Sequence, residues 1–266
     1  MAPVARVLVV AGSDSGGGAG IQADIKTITA LGGYAATAIT ALTAQNTLGV
    51  HGAMLVPADF VRQQMEVTLE DLGADGIKTG MLGNADIVRS VARVLERYRT
   101  IPLVLDPVML AKGGHPLLDT EAQIVLRELL LPKAALLTPN LPEAEVLSGL
   151  AIDSPKDMAA AADKLLMMGA SAVLLKGGHL EGPQVVDLLR TADGDQLWLE
   201  SERIVSRSTH GTGCTLASAV ATGVAAGLTL TDAATRGHAY VQAAIRQAPG
   251  LGQGHGPLGH ALGGVF

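Results

Sequence analysis

Aromatic residues make up only 2% of this 266-residue chain, so its core has to be assembled from Ala, Val, Leu and Ile. Cysteine occurs once, as Cys214. That excludes an internal disulfide and fits a reducing compartment, the cytoplasm. Positive charge is in deficit: 19 lysines and arginines face 25 aspartates and glutamates, for a net charge of −6. Nucleic acid is therefore not an expected partner, because binding its backbone needs a positive surface. No Gly-Lys dipeptide occurs anywhere, so a Walker A loop is absent. Charged side chains are missing altogether from Thr27 to Ala58 and from Ser208 to Thr231. Either stretch is long enough to be mistaken for a membrane span. Both are studded with Gly and Thr and carry motifs that need water-borne ligands, so no membrane association is expected. The apolar run near the start is too short for a signal peptide and leads straight into a glycine-rich turn.

What the chain does have is a regular alternation of short β-rich runs and helical patterns. Arg6–Gly12, Tyr34–Leu42, Gly76–Thr79, Pro102–Val108, Ala135–Pro139 and Ala172–Gly178 read as strands. Helices are expected over Ile21–Leu31, Pro57–Leu72, Asn84–Tyr98, Thr120–Leu131, Glu143–Ser148 and Pro155–Met168, with two more near Gly211–Ala226 and Thr231–Gln247. Asn84 and Ser154 are placed to cap their helices. Val185–Thr191 and Gln196–Ile204 flank an Asp-Gly turn and read as a hairpin. With 48% apolar and 17% charged residues the chain is globular. The expectation is one α/β domain over residues 1–266, a mostly parallel central sheet with helices on both faces. Ligands of such sheets bind outside the carboxyl ends of the strands.

Of five constellations, most fall at such an end or at the helix start that follows. Gly12–Asp24, GSDSGGGAGIQAD, joins a strand to a helix, where glycines and a helix N-terminus suit an anion. Within it, Gly18 to Ala23 fits a G-x-G-x-x-A dinucleotide fingerprint, but no acid follows between Asp24 and Asp59 to hold a ribose, which counts against a nicotinamide cofactor. Thr209–Gly223, THGTGCTLASAVATG, opens another helix. Gly211 and Gly213 free the backbone to wrap an oxyanion. Cys214 in the first turn is expected to have a lowered thiol pKa and to act as a base, the alternative being a small buried hydrophobe. In TPNLPEAEVLSG, Asn140 and Glu143 are oxygen ligands at a helix entry; they fit Mg²⁺ or, equally, a capping box. Asp106 and Lys176 stand at strand ends, where a carboxylate helps to organise a metal and a lysine neutralises phosphate. Gln45 and Asn46 are amides inside an uncharged stretch, matched to an aminopyrimidine edge or to a turn. The glycine-rich Gly250–His260 reads as a mobile tail, and its histidines lack a third partner for a metal.

Taken in order, GSDSGGGAGIQADIK, TAQNT, GMLGN, DPVM, TPNLPEAEVLSG, KGGH, THGTGCTL and GHGP closely resemble the hydroxymethylpyrimidine/phosphomethylpyrimidine kinases of thiamine biosynthesis, within the ribokinase-like superfamily. The resemblance runs from Val7 to about His260. It implies a ribokinase-like domain, phosphorylation of 4-amino-5-hydroxymethyl-2-methylpyrimidine and then of its monophosphate, Mg-ATP as donor, and a homodimer. By the same resemblance Gln45, with Gly12, Ala19, Asp24, Met81 and Val108, faces the small-molecule substrate. Cys214 occupies the catalytic position, with Gly211, Gly213 and Lys176 around the transferring phosphoryl. Asn140, Lys176, Thr209 and Gly211 bind the nucleotide; Asp106, Asn140 and Glu143 hold the metal. The tail departs from the family pattern G-H-G-P-x-N-H, with Gly259 in place of the asparagine. The hairpin is too short for a separate lid domain. A pyridoxal or pyridoxine kinase and a catalytically silent nucleotide- or pyrimidine-binding regulator are the alternative readings.

Overall fold

Successive residues of the first strand bury against opposite layers. Leu8 and Val10 enter one apolar cluster, and Val7, Val9 and Ala11 enter another. A strand apolar at every position is covered on both faces, which is the condition of a parallel sheet. The computed structural model describes residues 4–110 and 116–261. Its strands are β1 (Arg6–Asp14), β2 (Tyr34–Asn46), β3 (Gly49–Leu55), β4 (Gly76–Thr79), β5 (Leu103–Leu105), β6 (Ala134–Leu137), β7 (Ala172–Leu175), β8 (Gln184–Thr191) and β9 (Gln196–Glu202). Its helices are α1 (Gly20–Ala30), α2 (Ala58–Asp71), α3 (Ala85–Arg97), α4 (Thr120–Leu129), α5 (Leu141–Ser148), α6 (Pro155–Met167), α7 (Thr212–Ala225) and α8 (Leu230–Arg246). Helices α2 to α6 supply the first cluster; α1, α7 and α8 supply the second.

The strands form one sheet in the order β3-β2-β1-β4-β5-β6-β7-β8-β9. From β2 to β7 every pairing is parallel, and β3, β8 and β9 add antiparallel edges. The expected α/β architecture is therefore present. The β8–β9 hairpin extends the sheet and forms no lid. After β1 the chain moves outward to β2 and β3, then returns past β1 to β4. The strand order thus reverses between β1 and β4, the place where sheets of this kind open a crevice. Among the described residues no helix is long and apolar enough to cross a membrane.

Two expectations are corrected. The segment Gly49–Leu55 is a strand that the sequence did not announce, because GVHGAML carries glycines and no clean alternation. It pairs back onto β2 and draws that strand on to Asn46. The Gly250–His260 segment is seated firmly. Gly254 and His255 donate to the side chain and carbonyl of Thr47 at 3.2 and 2.8 Å. Tyr240 donates to the His260 carbonyl at 2.7 Å, and the His260 ring meets Thr215 Oγ1 at 3.0 Å. Burial pushes the His260 imidazole down to about 4, so it is neutral at ordinary pH. Gly259 fits this path because a Cβ there would strike the Gln247 carbonyl.

Candidate active site

Two glycine loops meet at the switch point. Gly211, just before α7, has φ +82°, and a Cβ on it would collide with the Gly18 carbonyl. Gly20, at φ +54°, begins α1 with equally little room beside the Gly12 carbonyl. Only glycine takes both positions, and the result is that the N-termini of α1 and α7 converge. Gly12 lies against Met81, whose sulfur would be 3.2 Å from a Cβ at residue 12, and Thr40 donates to the Met81 carbonyl at 2.6 Å. Val108 and Thr209 are half-buried on the loops after β5 and before α7.

Gln45, near the end of β2, is stitched to the first loop by reciprocal bonds with Ser15, 2.9 Å each way. Its amide approaches His210 Nε2 at 3.2 Å, and that same nitrogen lies 2.9 Å from Asp14 Oδ2. Asp14 also accepts the backbone N–H groups of Gly16, Gly18 and Ala19. Although burial opposes it, the His210 contact and these N–H donors hold the Asp14 carboxyl below its usual range. An ionised Asp14 requires a proton on His210 Nε2. A Gln45 nitrogen facing that N–H would set donor against donor, so the amide is assigned with Oε1 toward His210 and its NH₂ toward Thr43 Oγ1. Asp14 and His210 were not singled out from the sequence, although both lie inside the two glycine motifs. They are 196 positions apart, and only the fold pairs them.

A second group gathers at the ends of β5, β6 and β7. Lys176 Nζ binds Asp106 Oδ1 at 3.0 Å, and Thr138 donates to the same oxygen at 3.0 Å. Asn140 bridges to Lys176 through the backbone. A Cβ on Gly213 would lie 3.1 Å from Lys176 Nζ, so the ammonium stands beside the turn that leads into α7. The capping box is formed: Asn140 Oδ1 accepts the Glu143 N–H and Glu143 Oε2 accepts the Asn140 N–H, at 2.9 and 2.8 Å. The capping reading of this pair is thus observed, and the cap leaves Glu143 buried beside Lys176 and Asp106. Burial pushes the Glu143 carboxyl up to about 7; Lys176 opposes the rise and Asp106 adds to it. Among the described residues no three His, Cys, Asp or Glu side chains form a metal cage. Two buried carboxylates, one held near neutrality, nonetheless suit a hard cation that brings its remaining ligands with it.

Cys214 and Asp24 depart from expectation. The half-buried Cys214 thiol is not lowered by the helix start: burial pushes it up to about 11. Lys78 and the Gly20 N–H pull it down, while Asp24 and Asp106 push it further up. Asp24 does not face a substrate. It is fully buried, with both oxygens 3.0 Å from Lys78 Nζ and Oδ1 accepting from Ser218 at 2.6 Å, which leaves no surface for a ligand.

Comparison with known proteins identifies the family. A family model described as phosphomethylpyrimidine kinase matches residues 14–259. A thiamine biosynthesis bifunctional protein of Geobacter sulfurreducens is 51% identical over 98% of the chain; the chain spans only 53% of that protein's length. A hydroxymethylpyrimidine/phosphomethylpyrimidine kinase of Bacillus subtilis is 46% identical, with 96% of this chain and 94% of the relative covered. The solved pyridoxal kinase of Staphylococcus aureus, in complex with AMP-PCP and pyridoxal, superposes with a TM-score of 0.90 at 34% identity, covering 97% of this chain and 94% of that one. With a family model matched over most of its length and near-full-length relatives well above 30% identity, the chain belongs to the phosphomethylpyrimidine kinase family.

Proposed function

We propose that the protein transfers the γ-phosphoryl group of ATP to the hydroxymethyl oxygen of 4-amino-5-hydroxymethyl-2-methylpyrimidine, and then phosphorylates the resulting monophosphate to the diphosphate. The observation that carries this reading is the meeting of Lys176 with the Gly211–Gly213 turn, immediately before Cys214. One small volume thus holds a cation and free backbone N–H groups for a phosphoryl in flight, next to a thiol for the attacking alcohol. Phosphoryl transfer asks for little else, because positioning and charge stabilisation dominate its catalysis.

Gln45, fixed by His210 and Thr43, presents its remaining N–H and lone pair to the aminopyrimidine edge. Gly12, Ala19, Met81 and Val108 shape the wall around the ring. Cys214 takes the alcohol proton as the new O–P bond forms and the bond to the β-phosphate oxygen breaks, its electrons leaving with ADP. The thiol is protonated in the free protein, so the working base is the thiolate fraction. Asn140, Lys176, Thr209 and Gly211 line the nucleotide phosphates. Asp106 and Glu143, steadied by Asn140, would hold Mg²⁺, which supplies charge neutralisation on those phosphates when bound. An ATP-consuming enzyme with a working free thiol belongs in a reducing compartment, the cytoplasm. Leu42, Met54 and Leu55 are exposed on the β2–β3 edge and support pairing of two copies.

A second reading, a pyridoxal kinase, draws on the structural likeness to the Staphylococcus aureus pyridoxal kinase solved with AMP-PCP and pyridoxal. Turnover of four acceptors with Mg-ATP separates the readings. The hydroxymethylpyrimidine and its monophosphate are expected to react, and ribose to remain untouched. Turnover of pyridoxal alone would replace the first reading with the second, and no ATP turnover at all would leave a binding protein.

A further inference from the structure

A charged pair lies below the thiol with no part in the chemistry described so far. Lys78 sits in the four-residue strand β4, fully buried between Ile77 and Thr79, and binds both oxygens of an equally buried Asp24. The fold alone does not call for such a pair. Replacing a buried ion pair with packed apolar side chains is often neutral or stabilising.

Its placement gives it a use. Gly20 and Asp24 stand four apart on α1, and Cys214 and Ser218 stand four apart on α7, so each pair shares one helix face. The two faces are joined one turn below the thiol, where Ser218 donates to Asp24 at 2.6 Å. Lys78 Nζ plugs into this junction. Gly80, two residues on, leaves it room, since a Cβ there would lie 3.0 Å from Nζ. We propose that Lys78, clamped by Asp24 on the floor of the site, is a positioning residue that serves as the fixed counter-charge of the Cys214 thiolate.

The groups facing Cys214 have opposed signs. Lys78 from β4 and Lys176 from the end of β7 are cations; Asp24 from α1 and Asp106 from the end of β5 are anions; the Gly20 amide adds a partial positive charge. Lys176 is pledged to phosphate once nucleotide binds. Lys78 cannot leave, because no water or ligand reaches it. Burial disfavours its charge, but Asp24 and the other anions outweigh this and its pKa rises, so it stays an ammonium.

The inference rests on Cys214 acting as base, and its test does not. Peptide mass spectrometry counts the iodoacetamide adduct at the single cysteine apart from any on lysines, and its rate against pH reports the thiolate. In Lys78→Met the midpoint of alkylation is expected to rise by about one pH unit, a tenfold loss of thiolate at any pH below it. In Asp24→Asn it is expected to fall, because an unpaired ammonium then faces the sulfur. Loosened packing would instead lower both midpoints by relieving burial. Should Lys78→Met fail to fold, the double variant Lys78→Met/Asp24→Asn, which leaves no uncompensated charge, carries the test, and its midpoint is again expected to rise. A Lys78→Met or double-variant midpoint that stays or falls overturns the proposal. If alkylation shifts as stated while Cys214→Ala retains full activity, the counter-charge stands and the base assignment fails.

Discussion

The site contains two aspartate–lysine pairs of the same length, 3.0 Å, and what sets them apart most is access to water. Asp24–Lys78 is sealed, with both side chains 0% exposed. In Asp106–Lys176 the lysine is 14% exposed and the aspartate 2%. A sealed pair cannot exchange partners; it can only impose a constant field. An open pair at the end of a strand can let its lysine turn to an incoming phosphate and its carboxylate to a cation. Water access therefore decides which of the two pairs could change partners when a ligand arrives.

The largest effect is expected at the thiol that feels both pairs. Cys214→Ala should slow phosphorylation of the alcohol by about 10²–10⁴-fold, the usual worth of a general base. The monophosphate step should lose far less, since its nucleophile is already mostly a dianion at neutral pH. Because burial holds the thiol near 11, the wild-type alcohol step should also quicken by about tenfold per pH unit above neutrality, with the phosphate step nearly flat. Single-turnover rates for both acceptors check this; equal losses in the variant would reduce Cys214 to a shaper of the helix start.

Breaking the pairs one at a time comes next. Lys176→Met should cost about 10²–10³-fold in kcat, the worth of one donor to a developing charge. Lys78→Met should show itself first in stability, by about 3–5 kcal/mol, because it strands a buried carboxylate. Chemical denaturation beside steady-state kinetics separates the two. If both variants lose stability equally, the distinction between open and sealed falls.

Gln45→Ala lies away from both pairs and serves as the control. It should weaken pyrimidine binding by about 1–3 kcal/mol and leave ATP binding intact by calorimetry. Smallest is the proton at Glu143. Its carboxyl titrates near 7 in the free protein, so a cation competes with a proton below that pH and finds a bare carboxylate above it. The apparent Mg²⁺ requirement should be about tenfold higher at pH 6 than at pH 8, following one pH unit below the midpoint. An unchanged requirement would confine Glu143 to its cap.

Much of this was legible in the sequence, and the failures have physical causes. The apolar run Val7–Val10 announced a doubly covered strand, and Asn84 and Ser154 do accept the N–H bonds expected of caps. The glycines around residues 18–20 and 211–213 pointed to close backbone approach, which is what their conformations show. Lys78 left a readable trace that went unused: a lysine in a short apolar strand must find an anion. The burial of Cys214 left none, because the helix-end field is local to the sequence while the desolvation that overrides it comes from α1, β4 and β5. Asp24 was misplaced for the same reason, since its motif neighbours face the site and it turns one helical step inward.

The seat of the Gly250–His260 segment bears on when the loop after Gln45 is closed. The loop that follows Gln45 is clamped at Thr47 by Gly254, 207 positions later. A ribosome adding about 5–20 residues per second needs roughly ten to forty seconds to span that interval. During that time the early strands can pair and Gln45 can make its bonds to Ser15, but its loop has no clasp. The Thr47 clasp therefore closes only after all nine strands of the sheet have been made.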